Sequence, residues 1–245
     1  MRKLGVVAVA VASLVLMAFA AYAAEAPVGE DMKGQFSISA FGGLALPSGK
    51  LGEDFVTSAL QVTEGIGAGM KMSPDFGACV DYFVTKDIAV GADFGYVAMK
   101  NEAVAVLGVE VLPKEWLEAK TMQFGVHGKY FVPTGGPVMP YLSLGAGMYS
   151  RKLTMSDEAK TALEDLLETT ITTTEWSDSK FGANGGVGVE YKVNKMFGVG
   201  VNGAYHLSFG KLEEEEAGQT ATILKDWTYM AFNAQVTYYI PMAKK

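Results

Sequence analysis

His206 and Ser208 are the pair in this chain that most suggests covalent chemistry. They put a base and a nucleophile two positions apart, on one face of an extended segment, as a hydrolase could use them. No suitably spaced acid accompanies them, so they read instead as two polar residues lining a strand. Gly198 to Gly203 matches a dinucleotide-binding fingerprint letter for letter. That fingerprint needs a helix to open in its second half, so that helix amides meet the pyrophosphate. Here the period stays at two, and the glycines read as inward-facing strand positions. A third set is ionic. Asp81, Asp93, Lys129, Glu190 and Lys192, with Arg151 further along its segment, share a strand face with polar His127, Asn202, His206 and Gln235. Such a set can form a gate or proton path, or a structural plug. The plug is preferred, because charges in a narrow interior are tolerated when paired and hydrogen-bonded. Cys79 has no partner for an internal disulfide and reads as a small inward filler.

These residues sit on segments of period two. In the last of them Met230, Phe232, Ala234, Val236, Tyr238 and Ile240 alternate with Tyr229, Ala231, Asn233, Gln235, Thr237 and Tyr239. One face is apolar and the other polar or small, which suits lipid outside and a crowded polar interior. Seven earlier segments behave alike, over about 34–46, 75–84, 88–99, 120–132, 138–152, 180–193 and 196–209. Pro47-Ser48-Gly49 is read as ending the first. Tight turns at Thr85-Lys86-Asp87, Pro133–Pro137 and Asn194-Lys195 alternate with long loops, four in all. The second loop carries an apolar run, Ala103 to Leu112, read as packing rather than as a ligand entrance. The third opens with Ser156-Asp157-Glu158, a helix start, and Ala159, Leu163, Leu166 and Leu167 at helical spacing predict a short helix over 157–168. The Thr-rich stretch after it is read as extending the next strand. The expected fold is all-β: an eight-stranded antiparallel transmembrane barrel with four long extracellular loops, three short periplasmic turns and a helix in the third loop. A soluble barrel with apolar residues inside is excluded, because its dry core would have to take Asp81, Asp93, Lys129 and Glu190.

Residues 1–23 have the form of an export signal. Arg2 and Lys3 precede an apolar stretch, and Ala21-Tyr22-Ala23 is a small-x-small cleavage site. The remaining organisation is a lead-in over 24–33, the barrel over 34–240 and a tail over 241–245. The formal net charge of −7, with an unbroken acidic run from Glu213 to Glu216, offers no basic stripe for a nucleic acid. The acidic loops read as solvated surface, with cation-bridged contact to lipopolysaccharide as the sharper alternative. The 29 glycines and the aromatic set of 13 Phe, 11 Tyr and 3 Trp suit a barrel, where glycine lets strands bend and rings mark the interfaces.

The segments DYFVTKDIAVGADFGY, PYLSLGAGMYS, GGVGVEYKVNKMFGVG and FNAQVTYYI resemble the outer membrane protein β-barrel domain family of small eight-stranded barrels such as OmpX, OmpW and the membrane domain of OmpA. The resemblance spans about 34–240. It implies a place in the Gram-negative outer membrane, among its lipids and lipopolysaccharide, and insertion by the barrel-assembly machinery. Members end on an aromatic residue that this machinery reads; here Tyr239-Ile240 is followed by Pro241 to Lys245. No peptidoglycan-binding domain is expected after the barrel. An outer-membrane lipid A deacylase carries a His-x-Ser pair like His206 and Ser208, but with a following Asn that is missing here, and both residues point inward rather than to lipid. The expected function is therefore non-enzymatic and without cofactor: loops serve surface interaction, with an unknown ligand, or envelope integrity. The lumen is closed by the charge network and by inward Phe41, Phe83, Phe131, Tyr141, Tyr149 and Tyr239. A conduit for small hydrophobic molecules, as OmpW would imply, is the alternative.

Overall fold

The computed structural model describes residues 32–53, 68–106, 109–168, 170–216, 219–224 and 227–241. The expected export signal, nearly all of the lead-in and the tail beyond Pro241 lie outside the described residues. Period-two alternation produces eight long strands: β1 (Phe36–Ser48), β2 (Ser73–Phe83), β3 (Ile88–Lys100), β6 (Leu117–Phe131), β7 (Val138–Met155), β8 (Glu175–Lys192), β9 (Phe197–Ser208) and β12 (Trp227–Tyr239). The strands pair antiparallel, and β1 meets β12 to close the barrel in the order β1-β12-β9-β8-β7-β6-β3-β2. The closing ladder runs from Ser37 opposite Tyr239 to Ser48 opposite Thr228.

At one end the connections are tight. The Thr85 hydroxyl accepts from the backbone N–H groups of Asp87 and Ile88, and the Asn194 side-chain carbonyl accepts from those of Met196 and Phe197. Such short polar side chains stand in for backbone acceptors in turns. The opposite, loop end carries α1 (Gly49–Gly52), a hairpin of β4 (Val104–Val106) and β5 (Val109–Leu112), α2 (Asp157–Leu167) and a hairpin of β10 (Leu212–Glu216) and β11 (Gln219–Leu224). In α2 the Ser156 hydroxyl accepts from the Ala159 N–H at 3.2 Å, the N-cap that the sequence signals.

The two faces of the sheet sort as the alternation predicts. Met230, Phe232 and Val236 are exposed outward, while Ala231, Asn233, Gln235, Thr237 and Tyr239 are buried inward. Outward rings meet across neighbouring strands, as Phe36 with Tyr82, Phe76 with Tyr96 and Phe94 with Phe124. Val189 shares the outward parity but is buried.

Inward apolar side chains gather in two clusters. At the turn end Phe83, Ala89, Phe131, Tyr141 and Tyr239 pack with Met32. At the loop end Val97, Met99, Leu117, Ala119, Leu153 and Trp227 pack with residues brought by the loops, including Leu51, Leu112, Ala159 and Leu212. Leu163 packs against this cluster, so the end of the second-loop apolar run and the helix face meet in one core.

Four local expectations are corrected. β1 runs through Pro47 to Ser48, because its ladder to β2 stops at Ala45 and only the ladder to β12 continues. A proline missing its N–H on that open side costs no ladder bond. The extension of β8 begins at Glu175, and Thr170 and Thr172–Thr174 stay outside the strand. β7 extends to Met155, beyond the expected 152. Gly203 stands on the outward face beside the Phe232 ring, whereas Gly198 and Gly200 face inward against Glu190 and Gln235.

Candidate functional site in the barrel lumen

Three levels of polar contact lie between the apolar clusters. Lowest is Glu190 of β8. Its carboxylate accepts from the Tyr239 hydroxyl and from the Gln235 amide, the latter at 2.9 Å. The Gln235 carbonyl in turn accepts from Tyr141 at 3.1 Å and Asn202 at 3.2 Å. Lys192 stands with its ammonium 4.7 Å from the Tyr239 ring centre.

The middle level is ionic. Lys129 of β6 reaches Asp81 of β2 at 2.7 Å, and its ammonium also donates to the Cys79 sulfur at 3.5 Å. His127 bridges two carboxylates: its Nε2 is 2.6 Å from Asp81 and its Nδ1 2.9 Å from Asp93. Gln123 donates to the second Asp93 oxygen at 2.7 Å. Cys79, Asp81 and His127 place their ligand atoms within 4.8 Å of one another, a spacing a metal could use. The Lys129 ammonium already contacts two of the three, which makes the trio a lysine cradle. The expected single network is thus two, joined where Lys129 lies 5.6 Å from the Tyr141 ring centre. His127, read from sequence only as a lining residue, is the connector of the ionic level.

The upper level holds Asp75, Asn233, Tyr149, His206 and Tyr229. Asn233 donates to Asp75 at 2.9 Å. The His206 ring stacks on Tyr229 at 4.5 Å and its Nδ1 lies 3.2 Å from the Tyr149 hydroxyl. His206 and Ser208 both point into the barrel, and the Ser208 hydroxyl is buried. Above them Arg151, buried to 1 % exposure, pairs with Asp178 and donates to the backbone carbonyls of Gly210 and Lys211. It also lies 5.5 Å from the Trp227 ring centre. Between the upper and middle levels is a cavity of about 90 Å³, lined among others by Phe41, Asp75, Asp93, His127, Asn202 and Asn233.

Inward glycines make these contacts possible. Asp81, Gly91 and His127 stand in register on β2, β3 and β6. So do Glu190, Gly200 and Gln235 on β8, β9 and β12, and Asp75, Gly43 and Asn233 on β2, β1 and β12. In each set the middle strand offers no side chain, and the flanking groups meet across it. Asp75, Asp178, Gln123 and Asn233 join these contacts, though the sequence does not single them out. Their inward parity was legible; which of them meet depends on register across three strands.

An apolar exterior around a hydrogen-bonded polar interior, in a closed antiparallel sheet, defines a transmembrane β-barrel. The chain belongs to the outer membrane protein beta-barrel domain family, whose model matches residues 9–239. It is accordingly a protein of the bacterial outer membrane. The crystal structure of OprG from Pseudomonas aeruginosa is similar, with 14% identity and a TM-score of 0.50, over 86% of this chain and 98% of that one. Neisserial surface protein A is similar at 17% identity and a TM-score of 0.49, over 83% of this chain and 96% of that one. At 14% identity the likeness to OprG is one of fold alone. No curated protein sequence matches the chain.

Proposed function

We propose that this protein is a non-enzymatic outer-membrane barrel that acts through its loops, in surface interaction or in the integrity of the envelope. Its lumen is a plug, with Asp81, Asp93, Lys129, Glu190, Lys192 and Arg151 as its charged members and His127, Asn202, His206 and Gln235 as their polar partners. Residues 1–23 serve as the export signal, and the barrel-assembly machinery inserts the rest. The observation that carries this reading is the stacking along the barrel axis: an apolar cluster at each end and hydrogen-bonded polar levels between them. Eight strands enclose an interior that side chains can fill. Planar-bilayer recording tests it. The wild-type protein is expected to give little steady conductance. Large, stable, voltage-independent channels would mean an open lumen and end the plug reading. In proteoliposomes, entry of a small apolar dye is expected at the rate of protein-free vesicles, and a clear acceleration would transfer the function to a conduit.

A further inference from the structure

We propose that the outward face of β6, β7 and β8, where the apolar band ends toward the loops, binds the phosphate headgroup of an anionic lipid in the surrounding leaflet. Lys120 of β6 stands directly opposite Lys152 of β7. Lys120 shares the outward parity of Met122 and Phe124, and Lys152 that of Leu144 and Met148. Their side chains keep 38 % and 41 % exposure, so both ammonium groups can be reached from the leaflet. Side chains directly opposed in an antiparallel pair are about 5 Å apart at Cβ, and like charges there repel. An anion lodged between the two ammonium groups replaces that repulsion with two charge-assisted hydrogen bonds.

The rows of the ladder around the pair follow the polarity of such a lipid. The row above, toward the loops, carries Glu118 and Glu175, and each holds one of the lysines at 2.7 Å. Ser177 stands opposite Lys152 in the lysine row. The row below pairs Ser150 with Ser179, both exposed. The next row is apolar and exposed: Phe124, Met148 and Phe181 in register. Carboxylate, ammonium, hydroxyl and hydrocarbon thus succeed one another along the barrel axis.

The carboxylates do not fill the site. An ammonium has three N–H donors, and one spent on a carboxylate leaves two for a phosphate. Glu118 and Glu175 repel a phosphate from the loop side and confine it to the level of the serine hydroxyls. From there acyl chains continue over Phe124, Met148 and Phe181. That apolar row selects a lipid phosphate over the free ion, as basic residues at a membrane surface attract anionic headgroups. Across the barrel, β1 and β12 present Leu44 and Met230 outward toward the same end, so the opposed lysines mark a position on one side of the barrel.

The site does not depend on a closed lumen; conductance tests the closure, and lipid binding tests the site. The wild-type barrel in an uncharged detergent is titrated with a diphosphorylated glucosamine lipid, with the same lipid stripped of its phosphates, and with inorganic phosphate. Bound lipid is counted by native mass spectrometry. The phosphorylated lipid is expected to bind one to one, and to bind roughly ten-fold more tightly than the stripped lipid. Lys120→Gln and Lys152→Gln are each expected to weaken it roughly five-fold, and the double variant to lose the preference for phosphate. Glu118→Gln with Glu175→Gln is expected to tighten binding. Lys86→Gln, which removes an equal charge at a turn, is expected to change nothing. A gel-mobility shift on boiling confirms that each variant is folded. Equal affinity for the two lipids would overturn the site, as would a phosphate preference that survives in the double lysine variant or a loss of the same size in Lys86→Gln. Displacement of the lipid by an equal concentration of inorganic phosphate would overturn the lipid assignment.

Discussion

Lys129 is the cation on which the middle of the lumen depends. Its ammonium holds Asp81 at 2.7 Å, and Asp81 in turn holds His127. Lys129→Met removes the ammonium and leaves a carboxylate buried against an imidazole. We expect a loss of about 3 kcal/mol in unfolding experiments in lipid or detergent, typical of a broken buried pair. Adding Asp81→Asn is expected to restore part of it, because the double variant leaves no uncompensated charge. Additive losses in the double-mutant cycle would show that the two residues act independently. Gly91 offers a sharper contrast. A Cβ there would stand 2.3 Å from the Val80 backbone carbonyl oxygen, 2.7 Å from an Asp81 oxygen and 2.9 Å from His127 Nε2, while at Gly95 the nearest atom is 3.7 Å away. Gly91→Ala should therefore cost roughly 1–3 kcal/mol, and Gly95→Ala should leave the unfolding midpoint near the wild-type value. Equal effects at the two glycines would remove the steric explanation of the contact across β3.

Within single elements, what could be read in advance was the face, and what could not was the partner. The period of two assigned Asp81, Asp93, Lys129 and Glu190 to the interior, because one buried and one lipid-facing side leave a strand no other choice. The Asp81–Lys129 pair, however, lies across β3, and the Asp75–Asn233 pair across β1. Neither relation is periodic along the chain. The sequence puts Arg151 near the mouth, but its partner Asp178 sits on an extension of β8 that begins earlier than the outward pattern indicates. Strand ends beyond the membrane lose the lipid-facing signal that marks them. The helix was legible because its cap and apolar spacing are local: Ser156 caps it, and Ala159 and Leu163 meet the loop-end cluster. The side chains of Leu166 and Leu167 lie outside the described residues. Ser156→Ala is expected to weaken the first turn of α2 by roughly 1 kcal/mol, read as a roughly five-fold faster protease cleavage within 157–174 in the folded barrel. An unchanged cleavage rate would mean that packing of Ala159 alone sets the helix.

For the whole molecule, a fully closed ladder implies that the barrel survives detergent without heat. A gel-mobility shift on boiling is expected, with a circular dichroism spectrum dominated by strand and only a small contribution from α2. A strongly helical spectrum would contradict the architecture. The closure also depends on register. The C-terminal strand brings Asn233 to Asp75, Gln235 and Tyr239 to Glu190, Thr237 to Ser39 and the Trp227 indole to Thr121. Each of these contacts depends on the setting of β12 against its neighbours. A slip of one residue would turn Asn233, Gln235 and Tyr239 toward lipid and present Phe232, Ala234 and Val236 to the carboxylates. The last strand therefore works as a key: only one setting turns, and insertion of a misaligned chain is penalised at every tooth rather than at its terminal residue alone.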